Sequence, residues 1–400
     1  MISRALQIYK ESYGGLSKEN WWLALIMLVN RSGTMVVPFM TIYLTSPEMG
    51  YSIADAGLAM GCFGVGAILG GFFGGKATDR FGFQVVQLFA LAGGGILFII
   101  LGKLQSFPLI CTFAFILSLV NESFRPANAT AVAHYSNDDN RTRCYSLNRL
   151  AVNLGWALGA AMGGFLASID FQLLFWVDGI TNLVAAVLLY RLLGMHIRPM
   201  VIERVDLTPT KSAYQDRTYI VFIILTILFA FCFFQIFSTL TAYFKLNIGF
   251  TSFFIGLLMA INGLVITFVE MVIVYKLEGR RKATFYIPVG VTLCSIAYLM
   301  LNVLDINHLT AVLMIVVITF GEILAMPFMN AFWASRSNHA NRGQYAGLFT
   351  IAWSIAHTAG PMIGALIAQH QGFPFLWWFI SAMCFVTAIG FWGLHRRGRW

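Results

Sequence analysis

Apolar runs, each about as long as a bilayer crossing, follow one another along this chain with only short polar breaks. A helix needs roughly 20 apolar residues to cross the hydrocarbon core. Runs of that kind lie at 21–44, 53–74, 84–103, 107–132, 146–168 and 172–193, then at 218–242, 251–275, 284–303, 309–333, 345–368 and 373–395. Backbone polar groups in lipid must be satisfied within the segment itself, so runs like these fold as helices. The rest of the sequence cannot build a soluble shell around them. Charged residues make up 11% of the chain, against about 25% in soluble domains. The sequence predicts an all-α polytopic membrane protein with twelve transmembrane helices.

The longest polar interval, Met195 to Arg217, contains Pro199, Pro209 and four basic residues. It divides the chain into six-span halves, 1–193 and 218–400, with a linker over 194–217. Loops on the side of the N-terminus, both termini and the linker hold 21 of the 26 Lys and Arg residues, whereas the opposite loops hold only Lys103 and Lys245. The positive-inside rule then predicts that both termini and the linker are cytoplasmic. That distribution also argues against nucleic acid as the reason for the net charge of +9. Compact loops and cytoplasmic termini fit a bacterial inner membrane, and nothing in the pattern calls for a partner chain, so a monomer is expected. The first nineteen residues are mixed polar and charged, and the apolar run that follows is too long for a signal peptide, so none is expected. Six cysteines are scattered singly with no CxxC, which suits small buried hydrophobes better than a disulfide framework or a metal site.

The halves are alike in sequence. At a shift of 199, Gly57 falls on Gly256, Gly64 on Gly263 and Asp79 on Glu278. At 200, Glu122 falls on Glu322, Tyr145 on Tyr345 and Gly164 on Gly364, and at 201 Pro126 meets Pro327 and Asn140-Arg141 meets Asn341-Arg342. In order and at nearly constant offset, these matches indicate a duplicated six-span unit. Parallel repeats of this kind, with a substrate site between them, define one large transporter architecture.

The loop after the second span reads Gly75-Lys76-Ala77-Thr78-Asp79-Arg80-Phe81-Gly82. It resembles the GxxxDRxGRR signature of the major facilitator superfamily, with Phe83 and Gln84 where two basic residues are usual. Lys276-Leu277-Glu278-Gly279-Arg280-Arg281 resembles the degenerate second copy. Gly155, Gly159, Gly163 and Gly164 have the spacing of that superfamily's antiporter motif, with Ala160 at the proline position, while Gly360, Pro361 and Gly364 keep the Gly-Pro. Arg125-Pro126 stands where drug–proton antiporters often carry an arginine. The resemblance implies two pseudo-symmetric six-helix bundles that rock around a central cavity. It further implies a gate in which Asp79 caps a helix and Arg80 finds a carboxylate. A competing resemblance, Asn30-Arg31 with Tyr43-Leu44-Thr45, is to proton-coupled oligopeptide transporters, although Met27 and Asn30 replace the two acids of their ExxER motif.

Seven ionisable residues fall within the spans: Arg31, Glu122, Arg125, Arg149, Asp178, Glu270 and Glu322. A charge at mid-membrane costs roughly 2.5–3.5 kcal/mol on insertion scales, so each should face a cavity or a partner. Glu122 and Arg125 share a helix face. Glu322 has no basic neighbour on its own helix and reads as a lone carboxylate. Glu122, Glu322 and Glu270 are the expected proton carriers, while Arg31, Asn30, Arg125 and Asn128 are expected to bind substrate or pair with those charges. A fixed ion pair that only locks the helices is the structural alternative. Asp178 and Arg149 sit nearer span ends and are expected to act as anchors. Gly66, Gly70 and Gly74, like the Gly155 series, form ladders for close helix approach. Trp156, Trp333, Trp353, Phe234 and Tyr243 are candidate pocket aromatics.

The sequence has no HExxH or GxSxG, and the glycine-rich Gly70–Ala77 stretch lacks the final Ser or Thr of a phosphate loop. An enzyme is therefore not expected, nor any cofactor or metal. The expected function is proton-coupled export of a small amphipathic solute. Symport of peptides or other zwitterions is the alternative, and a receptor or scaffold on the same fold is a third possibility.

Overall fold

The structure is a computed structural model that describes residues 7, 10–44, 46–167, 169–194, 212–338 and 340–396. Most of the expected linker and Thr45 lie outside the described residues. Among those described, the chain is helical with no strand, and nine helices are long and apolar enough to cross a membrane. The expected first span is divided into α1 (Lys18–Ser32) and α2 (Val36–Leu44). It is followed by α3 (Ile53–Phe81), α4 (Phe83–Leu101), α5 (Phe107–Glu122), α6 (Phe124–His134), α7 (Arg141–Ala167) and α8 (Gln172–Leu193). The second half holds α9 (Arg217–Phe234), α10 (Thr239–Leu246), α11 (Ser252–Leu277), α12 (Ala283–Val303), α13 (His308–Arg336) and α14 (Arg342–Arg396). The last of these turns at Gly372, whose φ of 84° is open to glycine at little cost, so the expected spans 345–368 and 373–395 form its two arms.

Glycine ladders determine which helices meet. A Cβ on Gly66, Gly70 or Gly74 of α3 would collide with the Phe115 carbonyl, the Leu119 carbonyl or Ser123, so this ladder receives the fourth expected span. Gly155, Gly159 and Gly163 of α7 receive the first span, from Leu28 and Arg31 to Met35. Gly164 continues the same helix. In the second half Gly360 and Gly364 receive Gln235, which donates to the Gly360 carbonyl at 2.8 Å. Pro361 lies inside this arm of α14. The two ladders are repeat-related, so each half is tied together in the same way.

The halves meet along α3–α14, α6–α14, α7–α11 and α7–α13. On α3, Gly57, Gly61, Gly64, Gly71 and Gly75 share one face at helical spacing. A Cβ on Gly75 would meet Gly343 and Gly347, one on Gly71 would meet Thr350 and Ile351, and one on Gly64 would touch Thr358 at 3.4 Å, whereas Gly61 and Gly57 have nothing within 4 Å. These two helices therefore splay apart, in contact at the closed end beside Gly75 and separated toward the far end beside Gly57.

A side chain added on this face should act according to depth. Gly75→Leu is expected to destabilise the fold by about 1–3 kcal/mol through overpacking. Gly61→Leu should leave thermal unfolding unchanged but abolish solute transport by holding the far end open. Unfolding curves and uptake assays on the two variants check this contrast.

Candidate functional site

Two interrupted helices set the polar centre of the first half. Pro126 has no N–H for the Glu122 carbonyl four residues back. The fourth expected span accordingly breaks between α5 and α6 at Ser123, which puts Glu122 and Arg125 on either side of the break. They pair at 2.8 Å, with Glu122 buried and the Arg125 side chain 37% exposed. The first span breaks over Gly33–Met35. The freed N–H groups of Met35 and Val36 donate to the buried Asp178 carboxylate of α8, at 3.0 Å and 2.8 Å. Asp178 is thus a structural anchor, as expected, though one deep in the core that caps α2.

The break leaves Arg31 at the end of α1. Arg31 is only 6% exposed and lies within electrostatic reach of Arg125 and Glu122, yet among the described residues nothing accepts from its guanidinium. His357 of α14 is within reach of the same pair. Its ring contacts Phe234 at 4.8 Å, and Phe234 in turn contacts Trp353 at 5.9 Å. Of the five candidate aromatics, Phe234 thus touches that histidine and Trp353 joins it through Phe234. Trp333 and Tyr243 are buried in packing contacts and Trp156 is exposed elsewhere.

The second centre joins the halves. Arg149 of α7 places Nη1 on Glu270 of α11 and Nη2 on Glu322 of α13, the latter at 2.7 Å. Asn262 donates to Glu322 at 3.0 Å and to the Thr319 hydroxyl at 2.8 Å. Glu270 and Glu322 are both almost completely buried. Two expectations are corrected here. Glu322 is not a lone carboxylate, because its partner comes from the other half. Arg149 is not an end anchor, because α7 begins at Arg141 and puts Arg149 about 12 Å inside the helix at 1.5 Å per residue. The matching Asn140-Arg141 and Asn341-Arg342 pairs were the signal in the sequence for that earlier start.

That start is fixed by crosswise caps at the closed end. In each half two asparagines bond one another's backbone, Asn137 with Asn140 and Asn338 with Asn341, at 2.9–3.2 Å. The turns so made present helix N-termini to the opposite half. Asp79 accepts from the backbone of Gly343 and Gln344, the latter at 2.8 Å. Glu278, its repeat mate, accepts from Thr142 N–H at 2.7 Å and from Arg143 Nε at 2.8 Å. Carboxylates at helix N-termini meet both unpaired N–H groups and the positive end of the dipole. Burial pushes the Glu278 carboxyl above its ordinary range, and the contacts with Arg143 and Thr142 only partly offset it. Gly75 provides the close contact beneath Asp79, and Gly82, with φ of 85°, ends α3. Arg80 finds no carboxylate among the described residues; it lies over the Phe81 ring at 5.2 Å.

Asn30 and Asn128 bond to other side-chain amides. Asn30 donates to Asn182 at 2.9 Å. Asn128 accepts from Gln87 at 3.1 Å and donates to Asn148 at 3.0 Å.

Two helical halves, latched crosswise at one end and sharing buried charges at mid-depth, define an α-helical membrane transport protein. The family model described as Major Facilitator Superfamily matches residues 23–361, and the chain belongs to that superfamily. It is 26% identical to the Na(+), Li(+), K(+)/H(+) antiporter of Planococcus maritimus, covering 92% of this chain and 93% of that protein. It is 24% identical to the multidrug resistance protein MdtH of Proteus mirabilis, covering 93% and 92%. Among solved structures, the human organic anion transporter MFSD10 (TETRAN) superposes with a TM-score of 0.77 at 14% identity, covering 94% of this chain and all of that one.

Removing one partner of a buried ion cluster leaves an uncompensated charge, which typically costs about 3–5 kcal/mol. Arg149→Met should therefore destabilise the protein by about that amount at neutral pH. The loss should shrink on acidification, because a protonated Glu270 or Glu322 no longer needs the guanidinium. Thermal unfolding of the variant and wild type across pH measures it.

Proposed function

We propose that this superfamily member is a proton-coupled exporter of small amphipathic organic compounds, a drug–proton antiporter working by alternating access. Its halves, 1–193 and 218–400, are taken as six-span bundles joined by the 194–217 linker. They sit as a monomer in a bacterial inner membrane with both termini cytoplasmic.

The single observation that carries this reading is the Arg149 bridge to Glu270 and Glu322. One cation is shared by two carboxylates across the line along which the halves must part. Binding a proton at Glu322 or Glu270 removes one of the charges that hold Arg149, which loosens the bridge at mid-membrane while the Asp79 and Glu278 caps hold the cytoplasmic end. A proton can thereby change the balance between the two faces, as an antiporter requires. Glu122 pairs with Arg125 three residues along the same span, so protonating it breaks no ion pair between the halves. It belongs with Arg31 and Arg125 at the substrate. The names of the multidrug and cation–proton relatives agree with antiport, and the solute would cross unchanged.

The experiment is solute-induced proton movement in proteoliposomes containing a pH dye, for wild type, Glu270→Gln and Glu322→Gln. Lipophilic drugs and short peptides are added under an imposed pH gradient. Proton release from an acid-loaded lumen on adding a drug, lost in either variant, is the expected result. Proton entry together with peptides would replace antiport by symport. Solute movement with proton flux untouched in both variants would remove these carboxylates from the mechanism.

A further inference from the structure

The two buried charge centres have opposite imbalances. At the interface between the halves, two carboxylates share one guanidinium. At the break in the fourth span, two guanidiniums, Arg31 and Arg125, stand near one carboxylate, Glu122, which pairs with Arg125 alone. Counting histidine as neutral, that second centre carries one positive charge in excess. We propose that the first-half centre, Arg31, Glu122 and Arg125 with the facing Phe234, Trp353 and His357, binds the anionic group of an amphipathic organic anion, with the aromatic side chains holding its apolar body. This inference rests on the reading of Arg31 and Arg125 as substrate residues and adds the sign of the substrate.

Three features support an anion over a cation or a neutral solute. First, Arg31 has five donors and no acceptor, and it is 6% exposed. A buried guanidinium without a partner is expensive in a membrane, and an incoming carboxylate or sulfonate supplies the missing acceptor in a bidentate geometry. Second, the centre is reachable. The Arg125 side chain is 37% exposed, His357 and Thr358 are exposed midway along the first arm of α14, and α3 and α14 diverge from Gly64 toward the far end. Third, the surrounding surface is amphipathic. Phe234 packs edge-on against both Trp353 and His357, so an aromatic or alicyclic body can stack beside the charges while its anionic group displaces Glu122 from Arg125. A cationic drug would find only Glu122 here, already neutralised by Arg125, with Arg31 repelling it.

The test measures binding by calorimetry on the purified full-length protein with three probes of one shape: naphthoate, naphthamide and naphthylmethylammonium. Naphthoate should bind roughly tenfold or more tightly than the amide, the ratio expected from one charge-assisted contact, and the ammonium should bind weakest. Arg31→Gln and Arg125→Gln should each erase the preference. Glu122→Gln, which removes the competing carboxylate, should strengthen naphthoate binding. Size exclusion and thermal unfolding establish that each variant is folded, and if an arginine variant is not, Glu122→Gln decides. Equal binding of the amide or ammonium, no binding of any probe, or weaker naphthoate binding in Glu122→Gln would overturn the proposal. Its failure is separable from that of proton coupling. Charge-selective binding without proton movement defeats only the coupling; drug-driven proton release with no naphthoate preference defeats only the anion site.

Discussion

Arg149 lies between Glu270 and Glu322, on the surface where the two halves meet, and the rest of the structure is organised around that placement. Ion pairs buried this deeply add little net stability, because desolvation offsets most of the attraction. Losing one partner is another matter, since a bare carboxylate is left in an apolar interior. Such a cluster therefore makes the contact between the halves sensitive to the charge on its carboxylates. Asn262, itself held by the Thr319 hydroxyl, donates to the remaining oxygen of Glu322, so that carboxylate is held in place for as long as it is ionised.

The closed end works by a different and complementary principle. Asp79 and Glu278 each bind backbone N–H groups at a helix start in the opposite half. Apart from Arg143, these contacts need no matching side chain. The turns that present the helix starts are built alike by paired asparagines. The repeat is thus alike at the latch and unlike at the buried charges. Glu122 and Glu322 occupy equivalent places in the repeat, yet one pairs with an arginine on its own span and the other reaches across to Arg149. The first belongs to a positively biased centre and the second to a negatively biased one.

Much of this was legible in the sequence because it depends on periodicity and local chemistry. Apolar runs fix the helices, since lipid leaves the backbone no other partner. Glycines four apart mark the close packing of α3 and α7. Pro126 marks the break beside Glu122, and the Asp79 loop marks the latch. Other features depended on partners that sequence separation hides. Asn30 and Asn128 looked free for a substrate, but Asn182, Gln87 and Asn148 take up their amides. Glu322 looked alone because its partner is 173 residues away.

The sequence by itself determined the all-helical membrane fold, the duplicated halves, the superfamily and the inventory of buried charges, because hydropathy, repeat offsets and motif spacing are local properties. Only the tertiary structure decided which of those charges meet. The apolar run of the fifth span starts at 146, but its helix starts at Arg141, where Glu278 of the other half satisfies the first N–H groups. That capping contact carries Arg149 from an apparent span end to mid-depth. No local rule contains it, because the group that completes the helix lies in the opposite half of the chain.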